Sequence, residues 1–308
     1  MIRRRLMGVH RKWMLGVVAA AVALLNTGFG FGPTYVLLHP AGPVARKELN
    51  LMVLAGVAMG ILILIVFALF FYTIIRFRDT PGNRAPYLPN WHTNKALEVA
   101  VWVGPAILLT IIAIPTVKGI YALDHLPKAK DPLVIDVTSL TWKWLFEYPK
   151  QHIATVNYIV VPKGRPVLFE ITADSPMNGF WVPQLGGMEM AMPNRVLPLW
   201  LEASRTGTFW GHSAQFSGVG FSKMFFDVKA VSLRNFNHWA AATETSQPMT
   251  MARYRQLLRF NTVGKFSYGS YPSDTFPTVA TGFTLTGSGM YTVMHGQKGN
   301  KYLLTAGG

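Results

Sequence analysis

The sequence predicts a membrane-anchored chain, in which a hairpin of two transmembrane helices is followed by an all-β outer domain. Half of the 308 residues are hydrophobic and only 14% are charged, whereas ordinary soluble domains have roughly 25% charged residues. Two uncharged runs, Leu49 to Ile75 and Val99 to Val117, are long enough to cross a bilayer. After residue 131 the apolar runs are short and broken by Pro, Gly and Asn, which is typical of an antiparallel sandwich or barrel.

Residues 1–30 allow two interpretations. A cluster of Arg and Lys in the first twelve residues precedes twelve apolar residues, 14–25, which is the length of a signal-peptide core. The uncharged stretch nevertheless continues from Trp13 to Leu38, which is long enough to span a membrane. We therefore expect residues 1–30 to be either an export signal or a retained N-terminal helix.

The two certain spans form a hairpin over residues 40–120. The second span contains Pro105 and Pro115, which membrane helices tolerate better than soluble ones. The loop between the spans is rich in arginine, and by the positive-inside rule it lies in the cytoplasm. Everything after about residue 118 is then expected on the outer face.

The outer part divides into a β-rich domain, residues 121–232, and a C-terminal segment, residues 233–308. The segment begins with a stretch that looks helical, "NHWAAATETSQPMTMARYRQLLRF", continues through an aromatic, turn-rich stretch and ends in a tail expected to be mobile.

Charge and composition exclude several classes of function. The formal net charge is +15, but the sequence has no nucleic-acid-binding motif, so the expected partner of this charge is anionic lipid. The chain has no cysteine, which excludes disulfides, thiolate metal sites, thiol nucleophiles and a lipid anchor on an N-terminal cysteine. The scarcity of carboxylates also fits an acidic exterior.

The motif "TWKWLFEYP" sets Trp142, Trp144, Phe146 and Tyr148 at alternate positions. A period of two places all four aromatic side chains on one face of a strand. The spacing is typical of a sandwich core, and it also allows an electron-entry or docking patch.

Several motifs in order carry a family resemblance: "WHTNKALEVAVWVGPAILL", "TWKWLFEYP", "ATVNYIVVP", "MNGFWVPQLGG", "FSGVGFSKM" and "FSYGSYPSDTFPTVATGF". Over about residues 40–285 the chain resembles subunit II of heme–copper respiratory oxidases, and within them the cytochrome bo-type ubiquinol oxidases most closely. The resemblance implies a cupredoxin-like sandwich for the outer domain.

In the cytochrome c oxidases of this family, that sandwich holds two coppers with His, two Cys, Glu, a second His and Met. Soft thiolate, imidazole and thioether ligands suit such a copper centre. The resemblance places these positions, in chain order, at Asn178, Ser213, Gln215, Ser217, Phe221 and Met224. Only Met224 keeps a ligand, so the resemblance implies a copper loop that has lost its metal.

Two nearby features offer other metal ligands. His212 stands beside the first Cys position and not at a ligand position. Met188, Met190 and Met192 alternate, and such a group either transfers copper or fills a core with soft side chains.

The resemblance implies a non-catalytic subunit II of a proton-pumping quinol oxidase in the inner membrane, with its C-terminal domain in the periplasm. No cofactor is expected on this chain, because hemes, copper and quinol belong to subunit I, and subunits III and IV are further expected partners. Residues 121–308 carry 17 Lys and Arg against 11 Asp and Glu. This excess of positive charge does not suit docking of basic cytochrome c.

The alternative is a membrane-tethered periplasmic binding or assembly protein with a degenerate cupredoxin domain. Purification distinguishes the two functions, because an oxidase subunit is isolated together with a heme-bearing membrane partner and a tethered protein is not.

Glu98 is the only carboxylate between Asp79 and Asp124. If Thr93 or Asn94 caps the second helix, Glu98 lies just beyond its first turn, where the helix dipole stabilises a carboxylate. An ionisable group at a membrane edge can also collect protons. The segment resembles the N-K-x-x-E-V motif of the family, and the resemblance implies that Glu98 lies at the mouth of a proton-uptake path into subunit I.

Overall fold

The computed structural model describes residues 36–86, 92–123, 131–174, 177–193, 195–273, 275–276, 279–285 and 291–295. The chain divides into two units, Met1–His39 and Pro40–Gly308. In the first unit the described part contains one short 3-10 turn, Val36–Leu38. The predictions for residues 1–30 and for the end of the tail lie outside the described residues.

The two predicted membrane helices are confirmed. Helix α1 is Pro43–Arg76 and helix α2 is Lys95–Leu123, and both are long and apolar enough to cross a membrane. A proline at the first position of α1 suits a helix start, because its missing N–H has no partner there in any case. The helices approach closely where Gly119 meets Leu51, since a Cβ at Gly119 would lie 3.0 Å from the Leu51 Cδ1.

The start of α1 is embedded in the outer domain. The Ala41 N–H donates to the Gln184 carbonyl over 2.7 Å, and the Ala45 N–H donates to the Leu185 carbonyl over 3.1 Å. Ala41 and Val44 are also buried in the main core of the sandwich. The hairpin is therefore joined to the outer domain by packing and hydrogen bonds as well as by the chain itself.

The outer domain is a sandwich of two sheets, which confirms the predicted class. Its strands are β1 Leu133–Leu140, β2 Lys143–Tyr148, β3 Ile153–Val156, β4 Tyr158–Pro162, β5 Val167–Ala173, β6 Asn178–Trp181, β7 Met188–Ala191, β8 Leu197–Leu201, β9 Gly207–Ser213, β10 Phe225–Val231 and β11 Phe266–Tyr268. A six-stranded sheet has the order β11-β3-β2-β1-β5-β8 and a five-stranded sheet the order β4-β10-β9-β6-β7. The pairs β1/β5 and β4/β10 are parallel, and the other pairs are antiparallel. Strands β12 Val279–Leu285 and β13 Tyr291–His295 form a separate antiparallel pair.

Aromatic side chains fill the space between the sheets. Trp144, Phe146 and Tyr148 of β2 are fully buried in this core. Phe180 of β6 stacks on Phe226 of β10 with ring centroids 4.9 Å apart. The core interpretation of the aromatic motif is therefore confirmed for its three strand residues.

Trp142 corrects the prediction that all four aromatic residues share a strand face. It precedes β2, in the turn that follows β1, and its backbone has a left-handed φ of 63°. A residue in that conformation breaks the period of two, so its side chain leaves the row formed by the other three.

The C-terminal segment forms two short helices where the sequence predicted one helical stretch. Helix α3 is Leu233–Glu244 and helix α4 is Met251–Leu257. The break contains Pro248, and the Thr250 hydroxyl caps α4 by accepting from the Arg253 N–H at 3.2 Å. Helix α3 packs on the main core through Phe236 and Ala240, whereas the part of the segment from Met249 to Tyr268 covers the outer face of the six-stranded sheet. A second core forms there from Leu140, Leu145, Ala154, Val156, Met249, Tyr254, Leu257 and Tyr268.

Candidate functional site

The degenerate copper positions cluster where the β9–β10 loop returns to β6. Asn178 opens β6, Ser213 ends β9 and Met224 directly precedes β10. The Ser213 N–H donates to the Met224 carbonyl over 3.1 Å, and the Ala214 N–H donates to the Gly179 carbonyl over 2.9 Å. These backbone bonds close the loop at its base, so its path is fixed without any metal.

A chain of buried side-chain hydrogen bonds links three strands at this point. The Ser213 hydroxyl donates to the Asn178 Oδ1 at 3.0 Å, and the Asn178 Nδ2 donates to the Ser139 hydroxyl at 2.7 Å. All three residues are buried. Ser139 belongs to β1 in the six-stranded sheet, so the hydrogen-bond chain joins the two sheets across the core.

The residues present do not fit a copper centre. Amide and hydroxyl groups are neutral, and here the polar atoms of Asn178 and Ser213 are already engaged with one another. Met224 supplies the one soft donor of the six positions and is buried. Copper sites of this kind require thiolate and imidazole as well. Among the described residues, no three His, Cys, Asp or Glu side chains are grouped so that they could hold a metal ion.

The remaining three positions lie on the loop itself. Gln215 is exposed, and its carbonyl accepts from the Ser213 hydroxyl over 3.3 Å. Phe221 begins a 3-10 turn and packs against Phe216, with ring centroids 5.6 Å apart. The hydroxyl oxygen of Ser217 is buried and has no hydrogen-bond partner among the described residues. These positions therefore shape the loop and do not converge on a common ligand.

Trp142 contacts the β9–β10 loop, and the sequence analysis did not predict this contact. Its indole Nε1 donates to the Ser217 carbonyl over 3.0 Å. The ring lies against Gly218 and Gly220, and a Cβ at Gly220 would overlap it. The sequence signal was the pair of glycines, which allow such a close approach of ring to backbone.

The two other candidate metal groups are His212 and the three methionines Met188, Met190 and Met192. His212 lies on the opposite face of β9 from Ser213 and stacks on Trp210, with ring centroids 4.2 Å apart. Burial lowers the pKa of His212. Met188 and Met190 share a face of β7, whereas Met192 follows the end of that strand. The three methionines therefore do not form one row along a strand.

Comparisons with known proteins relate this chain to subunit II of respiratory oxidases. Residues 131–231 match the family described as cytochrome c oxidase subunit II, periplasmic domain. The quinol oxidase subunit 2 of Bacillus cereus is 38% identical over 84% of this chain and 90% of its own length. The protein of the same name from Bacillus subtilis is 37% identical over 81% of this chain and 80% of its own length.

This chain belongs to the family of quinol oxidase subunit 2. Its outer domain is accordingly the cupredoxin-like periplasmic domain of oxidase subunit II. Among solved structures, the periplasmic domain of subunit II of cytochrome oxidase of Bradyrhizobium japonicum aligns with 38% of this chain and 96% of its own, with a TM-score of 0.36 and 24% identity.

Glu98 lies in the second helix of this subunit II, as expected. Asn94 is the cap, because its Oδ1 accepts from the backbone N–H groups of Ala96 and Leu97 at 3.1 and 3.2 Å. The Glu98 N–H donates to the Asn94 carbonyl over 2.9 Å, which begins the regular helical bonding. The Glu98 side chain is exposed in the isolated chain and is free to face a partner subunit or the aqueous edge of the membrane.

A row of three carboxyl groups, with Glu147 buried and its two neighbours partly buried, was missed by the sequence analysis. Asp136 of β1 pairs with Glu147 of β2 on one side and with Glu170 of β5 on the other. Burial raises the pKa of Glu147 to about 8, and a hydrogen bond from the Thr275 hydroxyl offsets part of that rise. Burial raises the pKa of Glu170 to about 7. Burial and the two neighbouring carboxylates raise the pKa of Asp136 well above its usual range.

Lys143 is fully buried on the same face of the six-stranded sheet. Its ammonium donates over 2.8 Å each to the carbonyls of Leu257 and Arg259 and to the Asn261 Oδ1. Burial lowers the pKa of Lys143 to about 8. Lys143 and Glu147 therefore attach the C-terminal segment to the sheet at two separate points. Their alternation with Leu145 resembled a solvent-facing pattern in the sequence, which concealed their burial.

Proposed function

We propose that this chain is the metal-free subunit II of a proton-pumping quinol oxidase, which passes electrons from a membrane quinol to O₂. The observation that carries this proposal is the buried hydrogen-bond chain from Ser213 through Asn178 to Ser139. By the family resemblance, Asn178 and Ser213 stand at positions where a copper-bearing subunit II has imidazole and thiolate ligands. Without those ligands, the six positions offer no redox centre to an external electron donor.

The electron donor in this proposal is therefore membrane quinol and not a soluble cytochrome. The hemes, copper and quinol site belong to subunit I, and subunits III and IV complete the complex. The excess of Lys and Arg over Asp and Glu in residues 121–308 supports this reading, because like charge slows the approach of a basic cytochrome.

The orientation follows from the charge of the loop between α1 and α2. Arg76, Arg78 and Arg84 support a cytoplasmic position for this loop, and in that orientation the sandwich is on the periplasmic side of the inner membrane. The exposed apolar side chains along both helices are those expected to face lipid and subunit I.

The chain's own contribution is structural, with one chemical role. The first turn of α1 is buried in the sandwich, so the hairpin and the outer domain can cap subunit I as one piece. Glu98 lies at the cytoplasmic end of α2 in this orientation. We assign it the collection of protons at the entry of a path into subunit I, since a carboxyl at a membrane edge exchanges readily with bulk water.

The test is purification of the tagged chain from membranes of its own host. We expect a heme-bearing partner at one copy per chain and O₂ uptake with short-chain ubiquinol or menaquinol analogues, but not with reduced cytochrome c. Purified complex in sealed vesicles should also move protons across the membrane during turnover. If the chain is isolated without any heme protein, it is instead a tethered binding or assembly protein.

A further inference from the structure

An open, solvent-exposed cavity of about 590 Å³ lies at the surface at the end of α1 opposite the sandwich, and its composition suits an anion. Three arginines line it: Arg76, Arg78 and Arg84. None of the three has a carboxylate within 4.0 Å among the described residues. Asp79 is the one acidic residue of this loop, and it is not among the residues that line the cavity. Within the part of the chain that the structure describes, these three guanidinium groups therefore have no neutralising carboxylate.

The loop that forms the cavity is held by Asn83. Its Nδ2 donates to the carbonyls of Arg76 and Arg78 at 3.2 and 2.8 Å, and its Oδ1 accepts from the Ala85 N–H at 3.1 Å. The carbonyls at a helix C-terminus ordinarily carry partial negative charge, which repels an anion. Because the Asn83 amide bonds two carbonyls at this end, part of that repulsion is removed. Gly82 supplies the left-handed turn, with a φ of 90°, that brings Arg84 back toward the helix.

The position of the cavity indicates an amphiphilic ligand. It begins immediately after the 27-residue uncharged run of α1, at the level where lipid headgroups meet water. Tyr72 and Ile75 line its membrane-facing part, and tyrosine is typical of the interface between headgroups and hydrocarbon. Guanidinium groups match the oxygens of a phosphate through paired hydrogen bonds.

We propose that this cavity binds the phosphate group of an anionic phospholipid, with Arg76, Arg78 and Arg84 as its ligands. The same chemistry would accept inorganic phosphate, but Tyr72 and Ile75 favour a ligand with an apolar part. The proposal rests on the orientation given under the proposed function, in which the loop faces the anionic cytoplasmic leaflet. A lipid bound here would anchor the hairpin at the membrane surface on the side opposite the sandwich.

The experiment uses the whole complex, purified in a non-ionic detergent and stripped of lipid. Dioctanoyl phosphatidylglycerol, dioctanoyl phosphatidylcholine and inorganic phosphate are titrated separately, and native mass spectrometry counts the ligands bound per complex. The wild type is expected to bind one phosphatidylglycerol per copy of this chain more tightly than phosphatidylcholine. Displacement of the lipid by inorganic phosphate at equal concentration would identify free phosphate as the ligand.

Two triple variants test the arginines. Arg76→Lys, Arg78→Lys and Arg84→Lys together keep the charge that sets the topology but lose the paired guanidinium bonds, so affinity should fall about tenfold. The variant with Gln at the same three positions should no longer bind phosphatidylglycerol at this site, provided that the loop remains in the cytoplasm. The matched control carries Arg195→Gln, Arg234→Gln and Arg255→Gln, which remove the same charge from exposed positions of the outer domain.

Unchanged lipid count and affinity in both triple variants would overturn the proposal. This result is separate from the proposed function, which is judged by the heme content of the same preparation. If the chain is isolated without heme, the same titration is run on the chain alone in detergent.

Discussion

Asp136 and Glu147 are directly paired across the β1–β2 ladder, and both carboxyl groups are largely shielded from solvent. Two ionised carboxylates at this spacing repel each other, and Glu170 extends the row on the next strand. The groups that face the row from the C-terminal segment are Tyr254, Tyr271 and the Thr275 hydroxyl, and burial keeps both tyrosines neutral by raising their pKa values. The C-terminal segment therefore packs best over protonated carboxyl groups.

The outer domain should lose stability as the pH rises from about 4 to about 8. Each of the three carboxyls has a raised pKa in the folded state, with Glu170 at about 7 and Glu147 at about 8. The folded state therefore holds protons that the unfolded chain has already released, and the stabilisation is complete below the unfolded pKa. It is lost as the pH passes through the folded values. Thermal unfolding of the purified chain between pH 4 and pH 8 checks this direction.

Glu147→Gln should flatten that pH dependence by on the order of 5 kcal/mol between pH 4 and pH 8, because it removes one of the titrating groups but keeps an oxygen for Thr275. Glu244→Gln, at an exposed position at the end of α3, is the control and should leave the slope unchanged. An equal slope in the wild type and in Glu147→Gln would show that the carboxyl row does not titrate in this range. A stability that falls as the pH rises would suit a domain that faces an acidic exterior.

Gly220→Ala should destabilise the outer domain by about 1–3 kcal/mol, because the new methyl group would overlap the Trp142 ring. Gly264→Ala is the matched control, since a Cβ there meets nothing within 4 Å. Denaturant unfolding of both variants gives the comparison. Equal stability of the two would mean that Trp142 does not rest on the loop in solution.

Glu98→Ala should leave assembly and heme content intact but slow O₂ reduction by the purified complex, because protons would reach subunit I less readily. Glu98→Asp should retain part of the rate, since it keeps a carboxyl group at the same helix position. Turnover with a quinol is measured across pH for both variants and the wild type. A wild-type rate for Glu98→Ala at every pH would reduce Glu98 to a charge that stabilises the start of α2.

The orientation predicts how single cysteines react in intact cells, since the natural chain has none. A cysteine at Gly82 should react with a membrane-impermeant maleimide only after the cells are opened. A cysteine at the exposed Ser222 should react in cells whose outer barrier alone is permeabilised. The reverse pattern would place the sandwich in the cytoplasm and contradict the orientation.

The elements that obey a simple physical period were predictable from the sequence. The two helices follow from uncharged runs that must cross hydrocarbon, and Trp144, Phe146 and Tyr148 follow from the period of a strand with one buried face. The position of Trp142 was not predicted, because it lies with a left-handed φ in the two-residue turn between β1 and β2 and its ring contacts a loop 75 residues away. Local spacing carries no signal of such a contact.

The residues of the candidate site were predictable from the sequence, but the hydrogen bonds between them were not. Family resemblance located Asn178 and Ser213, yet their partner Ser139 lies in the other sheet, and no motif connects them. The buried Lys143 and Glu147 escaped prediction for a related reason. A charged residue at an alternate strand position is ordinarily solvent-exposed, and only the packing of a distant C-terminal segment buries these two.

Copper content is the most direct measure of the central claim that the loop keeps the shape of a metal site without its ligands. The purified chain is incubated with Cu(I) and Cu(II), desalted and analysed for copper by mass spectrometry. A variant with Asn178→His, Ser213→Cys, Gln215→Glu, Ser217→Cys and Phe221→His supplies every missing ligand type and is expected to retain copper. The wild type should retain well under one copper per chain, and two coppers per wild-type chain would contradict the account.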